Sequence, residues 1–309
     1  MAESESRRLS RIRPNLERRA LICDSIRHFF HEAGFLEVET PIRAPAVAPE
    51  QFITPFESEG WFLSTSPELY MKRLLAAGYE RIFQISHCFR KGERGRWHNP
   101  EFTLLEWYRT GAGYLDMVHD TELLLMSIAG VLGFGKGISY QGNSIDISLP
   151  WPRLSVRDAF LRYAGWDPVT VPDSRRFDED LVIKVIPGFP ADRPVVLVDY
   201  PAPMASLARL KPGQPGIAER AEIFIGGLEL ANAYSELTDV KEQTRRFQAE
   251  IEEIERIDGK KRTLPERFLE ALPGLPPCGG IALGLDRLVM LCCDADSLDE
   301  VMPFTEEWA

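Results

Sequence analysis

Apolar positions along the chain recur with two periods, and the switch between them divides it into helices and strands. Leu16, Ile22, Ile26, Phe29, Phe30 and Ala33 trace one stripe of a long helix that starts near Pro14 and Asn15 and stops at Gly34. Residues 35–41 then alternate and end on proline, as a short strand does. The proline- and alanine-rich stretch 44–55 reads as a loop. In 65–74, Ser66 is placed to cap a helix beginning near Pro67. Residues 81–90 alternate and 101–108 are dense in β-prone aromatics, which predicts two strands joined by the polar loop between them. Farther on, the pattern predicts a helix over 114–132, a strand over 144–149, a helix over 154–165 and a buried strand over 195–200. Residues 168–194 are so heavy in proline, aspartate and arginine that they read as an irregular insertion without chemistry. Residues 221–237 alternate around Gly226 and Gly227, the mark of a hairpin. A polar helix over 240–257, with Phe247, Ile251 and Ile254 on one side, is expected on the surface. Residues 279–291 read as strand, glycine turn and helix.

Composition narrows the class. With 309 residues, 44% hydrophobic and 27% charged, the chain buries a sizeable core and is not disordered. Apolar runs fall short of a membrane span, and the polar start MAESESRRLSRIRP lacks the core of an export signal, so a soluble, cytoplasmic protein is expected. Five cysteines in no paired spacing predict reduced, mostly buried thiols. His28 and His31 stand at i, i+3 with no third ligand in view, which argues against a zinc site. A net charge of −11 argues against broad adhesion to nucleic acid and favours a small ligand or a protein partner.

Against that acidic background, Arg90, Lys91, Arg94 and Arg96 gather with His98 in the loop between the two strands. Such a loop traps an anion such as polyphosphate, or is simply a solvated hairpin tip. The returning strand sets Phe102, Glu106 and Tyr108 on one side, where an aromatic face suits a base and a carboxylate suits an amine. Glu68 lies in the first turn of its helix, a position that also serves the helix dipole. Glu222, Glu229, Asn232 and Glu236 either approach one site or form the outward charges of an exposed strand face. Arg287 at a helix start suits a phosphate. GGIALG is a weak dinucleotide-loop match, since no βαβ unit surrounds it.

Residues 89–108, FRKGERGRWHNPEFTLLEWY, resemble motif 2 of the class II aminoacyl-tRNA synthetases, most closely the lysyl branch. The helix and strand up to Pro41 resemble motif 1, and 279–291 resemble motif 3. TSPELYMKRL at 65–74 and the stretch 221–237 are similar to further lysyl-branch segments. The resemblance spans 15–291 and implies an α+β fold, a mostly antiparallel sheet flanked by helices, with a catalytic domain over 15–309 after a polar tail, 1–14. No anticodon-binding domain is expected before Asn15.

The resemblance also assigns roles. Arg90 and Arg287 are the catalytic arginines, on the α- and γ-phosphates of ATP. Lys91, Gly92, His98, Asn99, Phe102, Glu229, Leu230 and Gly284 complete the ATP site, with Phe102 stacked on adenine. Glu222 and Glu229 resemble the pair that holds Mg2+. Ser66, Pro67, Glu68, Glu106, Tyr108, Asn232, Tyr234, Glu236 and Ala282 resemble the amino-acid pocket. Three positions depart from the lysyl pattern: Tyr234 replaces phenylalanine, Ala282 replaces glycine, and Gly92 replaces a glutamate, leaving Glu93 or backbone contacts to substitute. The truncated architecture resembles the lysyl-tRNA synthetase paralogues that ligate lysine or (R)-β-lysine to a lysine of bacterial elongation factor P. This implies a homodimer acting on elongation factor P rather than tRNA; a minimal tRNA-charging enzyme and a non-enzymatic amino-acid sensor are the alternatives.

Overall fold

The computed structural model describes residues 3–309. Helix α1 (Glu5–Glu32) and strand β1 (Leu36–Glu37) open the chain. Short strands β2 (Arg43–Ala44), β3 (Glu57–Ser58) and β4 (Trp61–Leu63) lead to α2 (Glu68–Ala76) and the hairpin of β5 (Arg81–Phe89) and β6 (Glu101–Thr110). Then come α3 (Tyr114–Val131), the ribbon β7 (Gly137–Tyr140) and β8 (Asn143–Asp146), β9 (Arg153–Ser155), α4 (Val156–Tyr163) and α5 (Ser174–Asp180). Strands β10 (Val195–Pro201), β11 (Leu210–Lys211), β12 (Gln214–Ile225) and β13 (Leu228–Ser235) follow. The chain closes with α6 (Val240–Asp258), α7 (Glu266–Ala271), β14 (Cys278–Gly284) and α8 (Leu285–Cys293).

The main sheet runs β1-β5-β6-β14-β13-β12-β10-β9, with β11 on β12. Only its end pairs, β1 with β5 and β9 with β10, are parallel among the described residues. Alternation gives each central strand two faces. Phe83, Leu105, Trp107, Ile281, Leu283, Ala231 and Ala233 enter the core beneath α1, α3 and α8. Phe30 of α1 stacks on Phe83 at 4.7 Å and tilts over Trp107 at 5.1 Å, which explains the apolar stripe on that helix. The opposite face, carrying Phe102, Leu104, Glu106 and Tyr108, is left for a cavity.

Two expectations change and a third is extended. Helix α1 starts at Glu5, not near Asn15, and carries Pro14 inside it. The cause is distant in sequence: buried Arg8 donates to the carbonyls of Pro303, Asp299 and Met302 at 2.8, 2.9 and 3.0 Å and lies over the Trp308 ring. The stretch 168–194 is not irregular. It forms α5, a π turn and a 3-10 turn, held by Phe177 stacked on Phe160 at 4.5 Å. Helix α6 lies on the surface as expected, but its inner side does more than pack, since Gln243, Phe247 and Ile254 are buried and Gln243 and Phe247 line the cavity.

Candidate active site

The cavity holds about 900 Å³ and lies on the polar face of β6, β14 and β13. Register builds its floor as two rows. Asn232, Ala282 and Glu106 stand side by side on β13, β14 and β6, and Glu222 on β12 and Gln84 on β5 continue the row beyond the cavity. Arg220, Tyr234, Gly280 and Tyr108 form the next row. Residues two apart share a face, so the sequence period of two becomes a tiled floor. Strict alternation would turn Glu229 away from Asn232. The register shift opposite Ile223 and Phe224 pairs Phe224 with Glu229, a bulge that returns Glu229 to the face of Glu222.

At the closed end, Ser66 Oγ accepts from the Glu68 backbone N–H at 3.0 Å, the expected cap, and donates to Glu106 Oε1 at 2.7 Å. Tyr108 Oη donates to Glu106 Oε2 at 2.8 Å, so its proton is engaged by Glu106. Burial pushes the Glu106 carboxyl up to about 7, aided by the Glu68 charge and opposed by the two hydroxyls. Glu236 does not line the cavity. Sharing the face of Asn232 and Tyr234, it fills the space over Gly280, where an added Cβ would come within 2.2 Å of both Glu236 Oε1 and Tyr108 Cε1. Lys72, which the sequence reading missed, stands between Glu236 at 2.5 Å and Glu68, with Lys72 and Glu236 each only 1% exposed. Burial works against the Lys72 ammonium, yet Glu236 and Glu68 outweigh it and raise its pKa. Burial also raises Glu236, with Lys72 opposing.

At the open end, Arg90 reaches Glu93 at 3.6 Å and lies 5.0 Å over the Phe102 ring. Glu93, not Gly92, faces the cavity. Arg287 donates to the Glu229 carbonyl at 2.8 Å and to His98 Nε2 at 2.7 Å. An acceptor Nε2 requires a neutral ring, and partial burial with the Arg287 charge holds His98 below its usual range. Asp286 fixes the start of α8: it pairs with Arg19 at 2.6 Å and accepts the Thr103 N–H at 2.7 Å.

The expected convergence of loop cations is corrected here. Arg94 pairs with Glu306 and Arg96 with Asp296, so both turn to the C-terminal segment. Lys91 is exposed and lies off the cavity, as do Gly92 and buried Pro67. Asn99 lines the cavity, but its amide donates to the Glu101 carbonyl and accepts the Glu306 N–H. Leu230, Gly284 and Ala282 line it as expected.

Glu222 is buried behind the wall and accepts from Arg220 at 2.6 Å. Burial raises its carboxyl, Arg220 opposes, and Glu229 adds to the rise. Two carboxylates that repel across a bulge are a hard-oxygen donor pair suited to a divalent ion that keeps waters and substrate phosphates as its other ligands. The residues therefore fit Mg2+.

The family model described as tRNA synthetases class II (D, K and N) matches residues 5–307. The chain belongs to the class II tRNA synthetases. Curated relatives named elongation factor P–(R)-β-lysine ligase are similar over nearly full length. That of Klebsiella pneumoniae (strain ATCC 700721) is 38% identical over 315 residues, 96% of each chain. That of Hamiltonella defensa is 36% identical over 328 residues, again 96% of each. That of Pectobacterium carotovorum is 35% identical over 342 residues, 100% of each.

In this class II synthetase the motif 2-like hairpin supplies Arg90, Phe102 and Glu106, and the motif 3-like strand and helix supply Ala282 and Arg287. Besides Lys72, which lies off the cavity, sequence reasoning missed four residues of the cavity wall. Arg220 bridges Glu222, Asn232 and the Met204 carbonyl; its place two residues before Glu222 on one strand was the available signal. Gln243 sat on a helix read as surface. Ser174 and Asp178 of α5 reach the mouth from the stretch read as irregular.

Proposed function

We propose that the chain is an ATP-dependent ligase that activates lysine or (R)-β-lysine as an acyl-adenylate and transfers it to a lysine side chain of elongation factor P. The observation that carries this reading is full-length similarity to ligases of that name, on a cavity with carboxylates at its closed end and arginines at its open end. Glu68 and Glu106, backed by Glu236, receive the substrate amines. Asn232, Tyr234 and Ala282 form the floor on which its carbon chain lies. Arg90 holds the substrate carboxylate against the α-phosphate of ATP, and Phe102 stacks on adenine once the Arg90 guanidinium engages phosphate. Arg287 holds the γ-phosphate. Glu222 and Glu229 would hold Mg2+, which would offset charge on the phosphates.

The substrate carboxylate displaces pyrophosphate at the α-phosphate, and the neutral acceptor amine then attacks the acyl carbon and releases AMP. Charge placed in advance by fixed arginines and carboxylates supplies most of the stabilisation. The acidic net charge and the pairing of Arg94 and Arg96 with carboxylates support a protein acceptor rather than tRNA. A cytoplasmic homodimer is part of this reading. Among the described residues no helix is long and apolar enough to cross a membrane.

ATP–pyrophosphate exchange tests the first step. Exchange with lysine or (R)-β-lysine and little with leucine or methionine is expected; equal exchange with the neutral amino acids would overturn the reading.

A further inference from the structure

The proposed reading places two substrate ammoniums near Glu68, Glu106 and Glu236, and the following inference rests on it. Those three carboxylates exceed two ammoniums by one. The substrate carboxylate does not close the gap, because Arg90 answers it. The missing positive charge is already inside the protein. Lys72 lies one turn after Glu68 on α2, is 1% exposed, and bridges Glu68 to Glu236. We propose that Lys72 is the specificity-determining positioning residue of the amino-acid pocket: its ammonium cancels one of the three carboxylates and leaves room for a substrate with two amines.

Geometry supports the assignment. Glu236 shares the face of Asn232 and Tyr234 on β13, and its Oε1 fills the space that a side chain at Gly280 would take. Glu236 therefore acts on the substrate from the side of the cavity while Lys72 holds its carboxylate in place. The groups facing this pair are few. From α2 there is Glu68; from β6, Glu106 and Tyr108; from β14, Cys278. From β13, Tyr234 faces Glu68, as does Glu50 from the loop before β3, while Arg90, Arg209 and Arg220 reach the group from its edges. Helix α7 packs on α2 but turns Glu266, Arg267 and Glu270 to solvent. Lys72 is the one cation that touches both carboxylates among the described residues. Without it, Glu68 and Glu236 would have to share a proton, which the incoming ammonium must displace.

Exchange kinetics on full-length Lys72→Met and on the charge-conserving Lys72→Arg provide the test. In Lys72→Met, KM for lysine should rise at least about tenfold at pH 7 and fall more steeply with rising pH than in the wild type, while KM for ATP changes less than about threefold. Lys72→Arg keeps a cation between Glu68 and Glu236, so its KM for lysine should stay within about fivefold of the wild type, with the wild-type slope. A KM in Lys72→Met that is unchanged, or raised equally at every pH and equally in Lys72→Arg, would overturn the proposal. Failure of both variants to fold would do the same, since Lys72→Arg keeps the charge of the group balanced. If the wild type itself showed no lysine-dependent exchange, the parent reading would fall, and this one with it.

Discussion

At the scale of single residues, the pocket titrates near neutrality. Glu106 stands at about 7 instead of its ordinary 4.5 because it is buried beside Glu68. A carboxyl raised on folding adds stability that is complete below its unfolded value and is lost as pH rises through the folded one, so Glu106 makes the free enzyme less stable between about pH 4.5 and 7. Bound ammoniums favour the ionised form. Lysine binding at pH 7 should therefore release protons, seen as a calorimetric enthalpy that changes with the ionisation enthalpy of the buffer, and KM for lysine should fall as pH rises through 7. A buffer-independent enthalpy would contradict the charge state assigned to Glu106. Arg287 makes the complementary case at the open end. It is partly exposed and its partners are the Trp97 and Glu229 carbonyls, a neutral histidine and the exposed Glu229 carboxylate at 3.9 Å, so Arg287→Ala strands no buried charge. It should lower pyrophosphate exchange by about 10²- to 10³-fold with little change in melting temperature. Near-normal exchange would remove Arg287 from the phosphate site.

At the scale of elements, the site depends on how α1 and the C-terminal segment grip the sheet. Arg8→Met would leave the carbonyls of Pro303, Asp299 and Met302 without their donor and should cost about 2–4 kcal/mol in denaturant unfolding, with activity per folded molecule retained. Elements were legible in sequence where period and packing agree. Strands β5 and β6 alternate because one face is core and the other cavity, and the stripe from Ile22 to Phe30 meets Phe83 and Trp107. Elements were misread where tertiary contacts outweigh local pattern. Residues 5–14 look polar because Arg8 binds carbonyls 291 to 295 residues away, and α5 looks irregular because Phe177 is its one apolar residue among many charges. The site followed the same rule. Glu106, Ser66 and Arg287 were readable from their spacing, whereas the bulge that turns Glu229 inward and the Lys72 bridge need the register of distant strands.

At the scale of the whole molecule, α1 and β1 present Leu21 and Leu36, each about half exposed, beside the motif 1-like segment. We propose that this surface pairs two copies. Sedimentation at micromolar concentration should give a dimer, and Leu21→Asp with Leu36→Asp should shift it to monomer; a wild-type monomer with full activity would exclude the interface. What receives the activated amino acid distinguishes a factor ligase from a tRNA-charging enzyme. The enzyme would be incubated with ATP, Mg2+, labelled lysine or (R)-β-lysine, and either elongation factor P or total tRNA. Mass spectrometry should find a single lysyl or β-lysyl addition on one lysine of the factor, with tRNA unlabelled. Efficient labelling of tRNA beside an unmodified factor would contradict the account.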